Sequence, residues 1–455
     1  MKTKVRYVCQ ACGYQAPKWL GKCPQCGQWE TFAEEVVQPV STGRALKGQK
    51  AVEPVPLDRI EGEREERIHT GIGEFDRILG GGIMPASVVL VGGEPGIGKS
   101  TLFLQVLNHL ATRGLRVLYV SGEESPNQIR LRAQRLHAVS DRVYVVFETM
   151  YEMIEGTIRE TMPEIVVIDS IQTMHLGELP SSPGSVGQIR ETGGRFARLA
   201  KTLGIPIFLI GHVTKEGAIA GPKVLEHLVD AVLYFESPKD QPFRILRGIK
   251  NRYGPTNEIA VFEMTGEGIR EVTNPSELFM GQRSKETPGS VVVPCLEGSR
   301  PLLVEIQALV TPTNFGVPRR TAIGLDPNRL ALLVAVLEKK MGMPLGEQDI
   351  FVNAAGGLRI VETAVDLGVV AAIASSFYEQ VVPSEMVVFG EVGLAGEVRG
   401  VMQGDVRVQE AMRMGFDACV CPQTYSSHLA STKKFTILKV AEVKDALKKI
   451  LNLKR

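Results

Sequence analysis

The octapeptide Gly93-Glu94-Pro95-Gly96-Ile97-Gly98-Lys99-Ser100 constrains this chain more than any other stretch. G-x-x-x-x-G-K-S can wrap its backbone around a phosphate only when it joins a strand to a helix. The apolar run Ser87-Val88-Val89-Leu90-Val91 before it supplies the strand, and Thr101-Leu102-Phe103-Leu104-Gln105 after it suits the helix. Glycines let N–H groups close on the β-phosphate, and the amides of residues 93–101 form the cradle. Lys99 is placed to reach the β and γ oxygens, and the Ser100 hydroxyl to ligate Mg²⁺. ATP with Mg²⁺ is the ligand this pattern predicts.

A second pattern supports the same chemistry. Ile165-Val166-Val167-Ile168-Asp169 reads as a buried parallel strand ending in a carboxylate, which makes Asp169 the Walker B acid expected beside Ser100 at Mg²⁺. Arg116-Val117-Leu118-Tyr119-Val120-Ser121-Gly122-Glu123-Glu124 reads as another strand that brings two carboxylates to the same sheet edge, where ligands sit in open α/β folds. One of them is expected to polarise the attacking water, and Glu123 is favoured over Glu124 for that role.

Four of the seven cysteines form Cys9-x-x-Cys12 and Cys23-x-x-Cys26, two knuckles separated by ten residues. Each knuckle presents two thiolates to one tetrahedral Zn²⁺, and Gly13 and Gly27 follow the second cysteines where the turn needs a positive φ. Residues 1–33 are therefore read as a four-cysteine zinc ribbon. Around the knuckles, Lys2, Lys4, Arg6, Lys18 and Lys22 stand among Trp19, Trp29, Tyr7 and Tyr14, a mixture that suits nucleic acid and a protein partner equally. Cys295, Cys419 and Cys421 lie among apolar neighbours and read as small buried hydrophobes.

The length of 455 residues suggests about three domains. With 52 Lys plus Arg against 51 Asp plus Glu, bulk charge does not drive nucleic-acid binding, so any DNA contact must come from local patches. No apolar leader follows Met1, and Leu367–Ala374 is too short to cross a bilayer, so no membrane partner and a cytoplasmic address are expected. Residues 34–68 read as a linker.

Over 69–273 short apolar strands alternate with helical stretches, the βα repeat of an α/β fold with a mostly parallel sheet covered on both faces. The Gly/Pro/Ser-rich segments 178–190 and 214–223 read as surface loops able to follow a phosphate backbone. Lys250 and Arg252, in Lys250-Asn251-Arg252-Tyr253-Gly254, fall on one face if extended, either as a strand-edge charge pair or as a cation pair reaching a neighbouring subunit's γ-phosphate.

The order of phosphate loop, Glu-Glu strand end, Walker B strand and K-N-R-Y-G resembles the RecA/DnaB-like ATPases, and with a zinc ribbon in front it is similar to their bacterial DNA-repair branch. The resemblance implies a homo-hexameric ring in which Lys250 and Arg252 act in trans. It also implies work on single-stranded or branched DNA alongside the RecA recombinase, extending strand exchange by branch migration.

Residues 286–455 read as an α+β domain that resembles the Lon protease domain, through Gly390-Glu391-Val392-Gly393-Leu394-Ala395-Gly396-Glu397-Val398. Where that family carries its nucleophile loop this chain has Glu362-Thr363-Ala364-Val365-Asp366-Leu367-Gly368, and where its lysine opens a helix this chain has Asp405, with Arg407 two residues on. Arginine is no base at neutral pH, so the domain is expected to be non-proteolytic. The rival classes are a Lon-type serine protease and an adaptor whose nucleotide only sets assembly.

Overall fold

The computed structural model describes residues 4–9, 14–25, 27–37, 56, 66–212, 224–237, 243–256, 258–280, 287–313, 316–426 and 435–451. Two compact units are present, one ending at Glu271 and the other beginning at Val272. Among the described residues no helix is long and apolar enough to cross a membrane.

At the N-terminus Lys4–Cys9 (β1), Gln15–Ala16 (β2) and Phe32–Val37 (β3) form an antiparallel sheet in the order β2-β1-β3. The third strand pairs with the first as far as Val37, past the expected module end at residue 33. Its small core consists of Cys9, Ala16, Cys23 and Phe32, with Tyr7 and Leu20 packed against it.

Then follow α1 (Gly73–Ile78), β4 (Val88–Gly93), α2 (Lys99–Thr112), β5 (Val117–Ser121), α3 (Pro126–Arg135), β6 (Val143–Phe147), α4 (Tyr151–Thr161), β7 (Ile165–Asp169), α5 (Val186–Leu203) and β8 (Ile207–His212). The strands β9 (Ala231–Glu236), β10 (Phe243–Asn251), β11 (Ile259–Thr265) and β12 (Gly268–Glu271) complete this part. The sheet order among the described residues is β12-β11-β10-β9-β4-β8-β7-β5-β6. Pairing is parallel from β9 to β6 and antiparallel across β9 to β12.

The parallel strands are unbroken apolar runs because both faces are covered. Alternate side chains feed two cores: Val89 and Val91 join Phe75, Phe103 and Phe208 on one face, while Val88 and Leu90 join Ile154, Phe196 and Leu199 on the other. Helix starts follow local chemistry, as where Ser125 and Gln128 form a reciprocal capping box ahead of Pro126. The 178–190 segment is less loop-like than expected. Ser185 caps α5, so Val186–Arg190 is helical, and buried Gln188 bonds the backbones of Leu176, Leu179 and Ser181. The 214–223 segment lies outside the described residues.

The second unit contains α6 (Pro275–Met280), β13 (Ser290–Glu297), β14 (Arg300–Pro312), β15 (Arg320–Ile323), α7 (Pro327–Met341), β16 (Gln348–Ala354) and α8 (Asp366–Phe377). It continues with β17 (Met386–Val388), β18 (Glu391–Val392), β19 (Val398–Arg399), α9 (Gly404–Arg413), β20 (Ala418–Pro422), β21 (Thr436–Val440) and α10 (Val443–Leu451). A mixed sheet in the order β15-β16-β14-β13-β17-β20-β21 carries the apolar α8. Cys295, Cys419 and Cys421 are fully buried, and burial pushes the Cys295 thiol up, as their apolar neighbours led us to expect.

Candidate nucleotide site

The strands β4, β8, β7 and β5 are neighbours in the sheet, and the residues at their carboxyl ends converge. Gly98 caps α2 at φ 116°, and a Cβ there would lie 2.6 Å from Met264 Cε, so the loop turns into the helix only with glycine at this position. Lys99, the first helical residue, is 4% exposed. Its ammonium donates to the carbonyls of Gly93 at 2.8 Å and Glu94 at 2.9 Å and lies 3.3 Å from His212 Nδ1. Burial lowers its pKa to about 8, and the charges of Asp169 and Glu123 oppose the fall.

The Ser100 hydroxyl donates to Asp169 Oδ2 at 2.6 Å, and the buried Tyr119 hydroxyl donates to the same oxygen. Burial and the Asp169 charge hold the Tyr119 pKa well above its ordinary value, so that hydroxyl remains a donor.

The two carboxylates of the Glu-Glu strand end part company. Glu123 accepts from Ser170 Oγ at 2.5 Å and lies 3.2 Å from His212 Nε2. The His212 hydrogen bond, opposed by burial and helped by Ser170, holds its carboxyl down at about 2. Glu124 instead pairs with Arg132 of α3, and its own N–H donates to Ser121 Oγ at 2.9 Å. Gly122 permits this divergence: its N–H donates to the Asp169 carbonyl at 2.8 Å, and a Cβ would lie 2.0 Å from Thr173 Oγ1. The Asp169–Ser170 peptide bond is cis.

These residues fit Mg²⁺ and a nucleoside triphosphate. Ser100 Oγ and Asp169 Oδ2 are hard oxygen donors that already lie together, and the N-terminus of α2 with Lys99 suits phosphate oxygens. Mg²⁺, when bound there, supplies charge neutralisation of the phosphates. Sequence reasoning did not single out Tyr119, Ser170 or His212. Tyr119 reads as strand filler and Ser170 as the residue after an acid, and only the position of His212 at the end of an apolar run pointed to the sheet edge.

Lys250 and Arg252 follow a register shift between Gly248 and Lys250 and find their partners in the 226–230 turn of this subunit. Lys250 Nζ donates to the carbonyls of Glu226 at 2.6 Å and Val229 at 2.8 Å. Arg252 Nη1 donates at 3.2 Å to Asp230, whose second oxygen accepts the Val88 N–H at 3.0 Å. Asn251 Nδ2 donates to the Ile78 carbonyl at 3.2 Å, and Arg67 donates to that of Tyr253 at 2.6 Å. The motif is a knot that ties the phosphate-loop strand to the antiparallel edge, while half of the Arg252 side chain stays in solvent at 51%.

In the zinc module Cys9 and Cys23 are buried in one core, and each opens a tight turn. The Cys9 N–H donates to the Tyr14 carbonyl at 2.9 Å and that of Cys23 to the Gln28 carbonyl at 2.8 Å. Cys12 and Cys26 lie outside the described residues, so the fit to Zn²⁺ is read from the first thiol of each knuckle.

In the second unit the segments around Glu362 and Arg407, expected from the sequence to stand where a Lon domain has its catalytic loops, are joined by an ion pair. Arg407, 1% exposed, donates to Glu362 Oε1 at 2.8 Å and Oε2 at 2.6 Å and to the Pro294 carbonyl at 2.7 Å. Asp405 accepts from the Tyr425 hydroxyl at 2.6 Å, and buried Asp366 pairs with Arg329.

Fold and site together define a P-loop ATPase with a RecA-like core behind a zinc ribbon, and the comparisons agree: the AAA domain family matches residues 59–218 and the rubredoxin metal binding domain residues 7–34. DNA repair protein RadA of Halalkalibacterium halodurans is 51% identical over 449 residues, with 98% of each chain covered. The RadA protein of Bacillus subtilis is 49% identical over 451 residues with 98% of each covered, and that of Pseudomonas aeruginosa 49% over 423 residues with 92% of this chain and 93% of its own. The chain belongs to the RadA family of DNA repair proteins.

Proposed function

We propose that this protein is a cytoplasmic, ATP-driven DNA motor of homologous recombination and repair, a homo-hexameric ring acting on single-stranded or branched DNA with the RecA recombinase. The observation that carries the reading is the cluster of Lys99, Ser100, Asp169 and Glu123 at one sheet edge, in a chain of the RadA family. In it Lys99 and the amides of residues 93–101 hold the triphosphate, Ser100 and Asp169 hold Mg²⁺, and Glu123 orients the attacking water. With its carboxyl held at about 2, Glu123 is a weak base, so its contribution is orientation and charge rather than full proton abstraction. Lys250 and Arg252 complete the site of the adjoining subunit.

The second unit serves assembly and DNA binding and does not cleave peptides. Glu362 and Arg407 support this, because side chains locked to each other supply neither a nucleophile nor a base. The test is DNA-stimulated ATP hydrolysis and displacement of a strand from a branched substrate. Both are expected in the wild type and absent in Lys99→Ala. Hydrolysis at the wild-type rate in that variant, or hydrolysis indifferent to DNA, overturns the reading.

A further inference from the structure

Outside the nucleotide site, the zinc module presents a surface whose chemistry none of the preceding roles uses. Trp19 is 52% and Trp29 69% exposed, and the lysines Lys18 and Lys22 lie beside them, Lys18 next to Trp19 in the chain and Lys22 against the Trp29 ring. The two rings converge on Gly21. A Cβ there would lie 3.7 Å from Trp19 Cη2 and Cζ3 and 3.8 Å from Trp29 Cζ3, so the benzo edges of both indoles flank the bare backbone of Gly21. Lys22 Nζ sits 5.5 Å from the Trp29 ring centroid, and the backbone bridge between Lys22 and Trp29 fixes the two side by side. The Glu30 N–H donates to the Gly21 carbonyl at 2.8 Å, which closes the turn that brings the two tryptophans together.

Among the described residues of the module, two solvent-facing indoles leave a large apolar area outside its core of Cys9, Ala16, Cys23 and Phe32. Lysine is depleted at protein interfaces, whereas flat aromatic faces edged by ammonium groups match unpaired bases and their phosphates. We propose that Trp19 and Trp29 form a stacking platform for unpaired nucleobases of single-stranded nucleic acid, with Lys18 and Lys22 on the flanking phosphates. The choice of ligand rests on the DNA-motor reading above.

Trp19 and Trp29 are the only two tryptophans in the chain, so indole emission from the full-length protein reports on this platform alone. An oligo-dT is titrated into the zinc-loaded wild-type protein while emission and the anisotropy of a label on the oligonucleotide are followed together. Quenching that tracks binding is expected, and an abasic oligonucleotide of equal length, with the same phosphates and no bases, should bind without it. Trp29→Ala, checked for retained zinc, should weaken oligo-dT binding by about fivefold or more. Binding by anisotropy with unchanged emission, or equal quenching by the abasic strand, overturns the platform and leaves the motor reading standing. No binding of oligo-dT at all overturns both.

Discussion

At the scale of single residues, the nucleotide site depends on one oxygen. Asp169 Oδ2 accepts from Ser100 and from Tyr119, so the hydroxyl intended for Mg²⁺ and the acid that accompanies it are aimed by a tyrosine buried on the neighbouring strand. A hydrogen bond to a charged group contributes about 1.5–3 kcal/mol, and in Tyr119→Phe the ring still fills its place in the core while that contact is lost. The Mg²⁺ concentration giving half-maximal nucleotide binding is therefore expected to rise about tenfold in Tyr119→Phe. Binding in EDTA should stay as in the wild type, because Lys99 and the loop amides are untouched. Measuring a fluorescent ATP analogue with and without Mg²⁺ checks this, and an equal loss under both conditions would mean that Tyr119 merely supports the fold.

At the scale of elements, what sequence made legible was whatever is encoded locally. The phosphate loop carries its own strand and helix, and the strands expected within Arg116–Glu124 and at Ile165–Asp169 are present as Val117–Ser121 and Ile165–Asp169. Long-range pairing was not legible. The antiparallel strands β11 and β12, the helical start of α5 inside a Gly/Pro/Ser-rich stretch, and the meeting of His212 with Glu123 depend on partners that local pattern does not name, and His212 and Glu123 stand 89 residues apart. Lys250 and Arg252 show the same limit, since their two-residue spacing says nothing of the turn at 226–230 that holds them. The zinc module is the opposite case, an element whose four cysteines at C-x-x-C spacing announce it in the sequence. Among the described residues its core is only Cys9, Ala16, Cys23 and Phe32, a small core of the kind that a structural metal completes, so its folding is expected to depend on the metal. Cys9→Ser is expected to release zinc and melt this sheet while leaving nucleotide binding by the ATPase core unchanged, because the two cores around β4 share no residue with it. Metal analysis together with thermal unfolding tests this. A wild-type protein that holds less than about half an equivalent of zinc, with thiols reduced and no chelator, would refute it.

At the scale of the whole molecule, Arg252 serves either its own chain or, in the ring proposed above, the next one. In a single chain it pairs with Asp230, which is 2% exposed and also accepts from the phosphate-loop strand, so a purely structural arginine is a real alternative to a finger acting in trans. The two readings separate in their kinetics. A structural Arg252 leaves a buried carboxylate short of a partner when replaced by alanine, so Arg252→Ala should unfold more easily and lose nucleotide affinity and turnover together. An arginine acting in trans stabilises charge only in the transition state, so the same variant should bind nucleotide nearly as the wild type does and lose turnover by a factor of about 10³ or more. The ring reading predicts the second pattern, together with rescue on mixing. Arg252→Ala subunits keep Lys99, and Lys99→Ala subunits keep Arg252, so a mixed ring contains interfaces in which an intact phosphate loop faces an intact arginine. The mixture should hydrolyse ATP faster than either parent once subunit exchange is shown by labelled chains. If exchange is complete and the mixture stays as inactive as its parents, Arg252 belongs to the knot with Asp230 and the trans assignment fails.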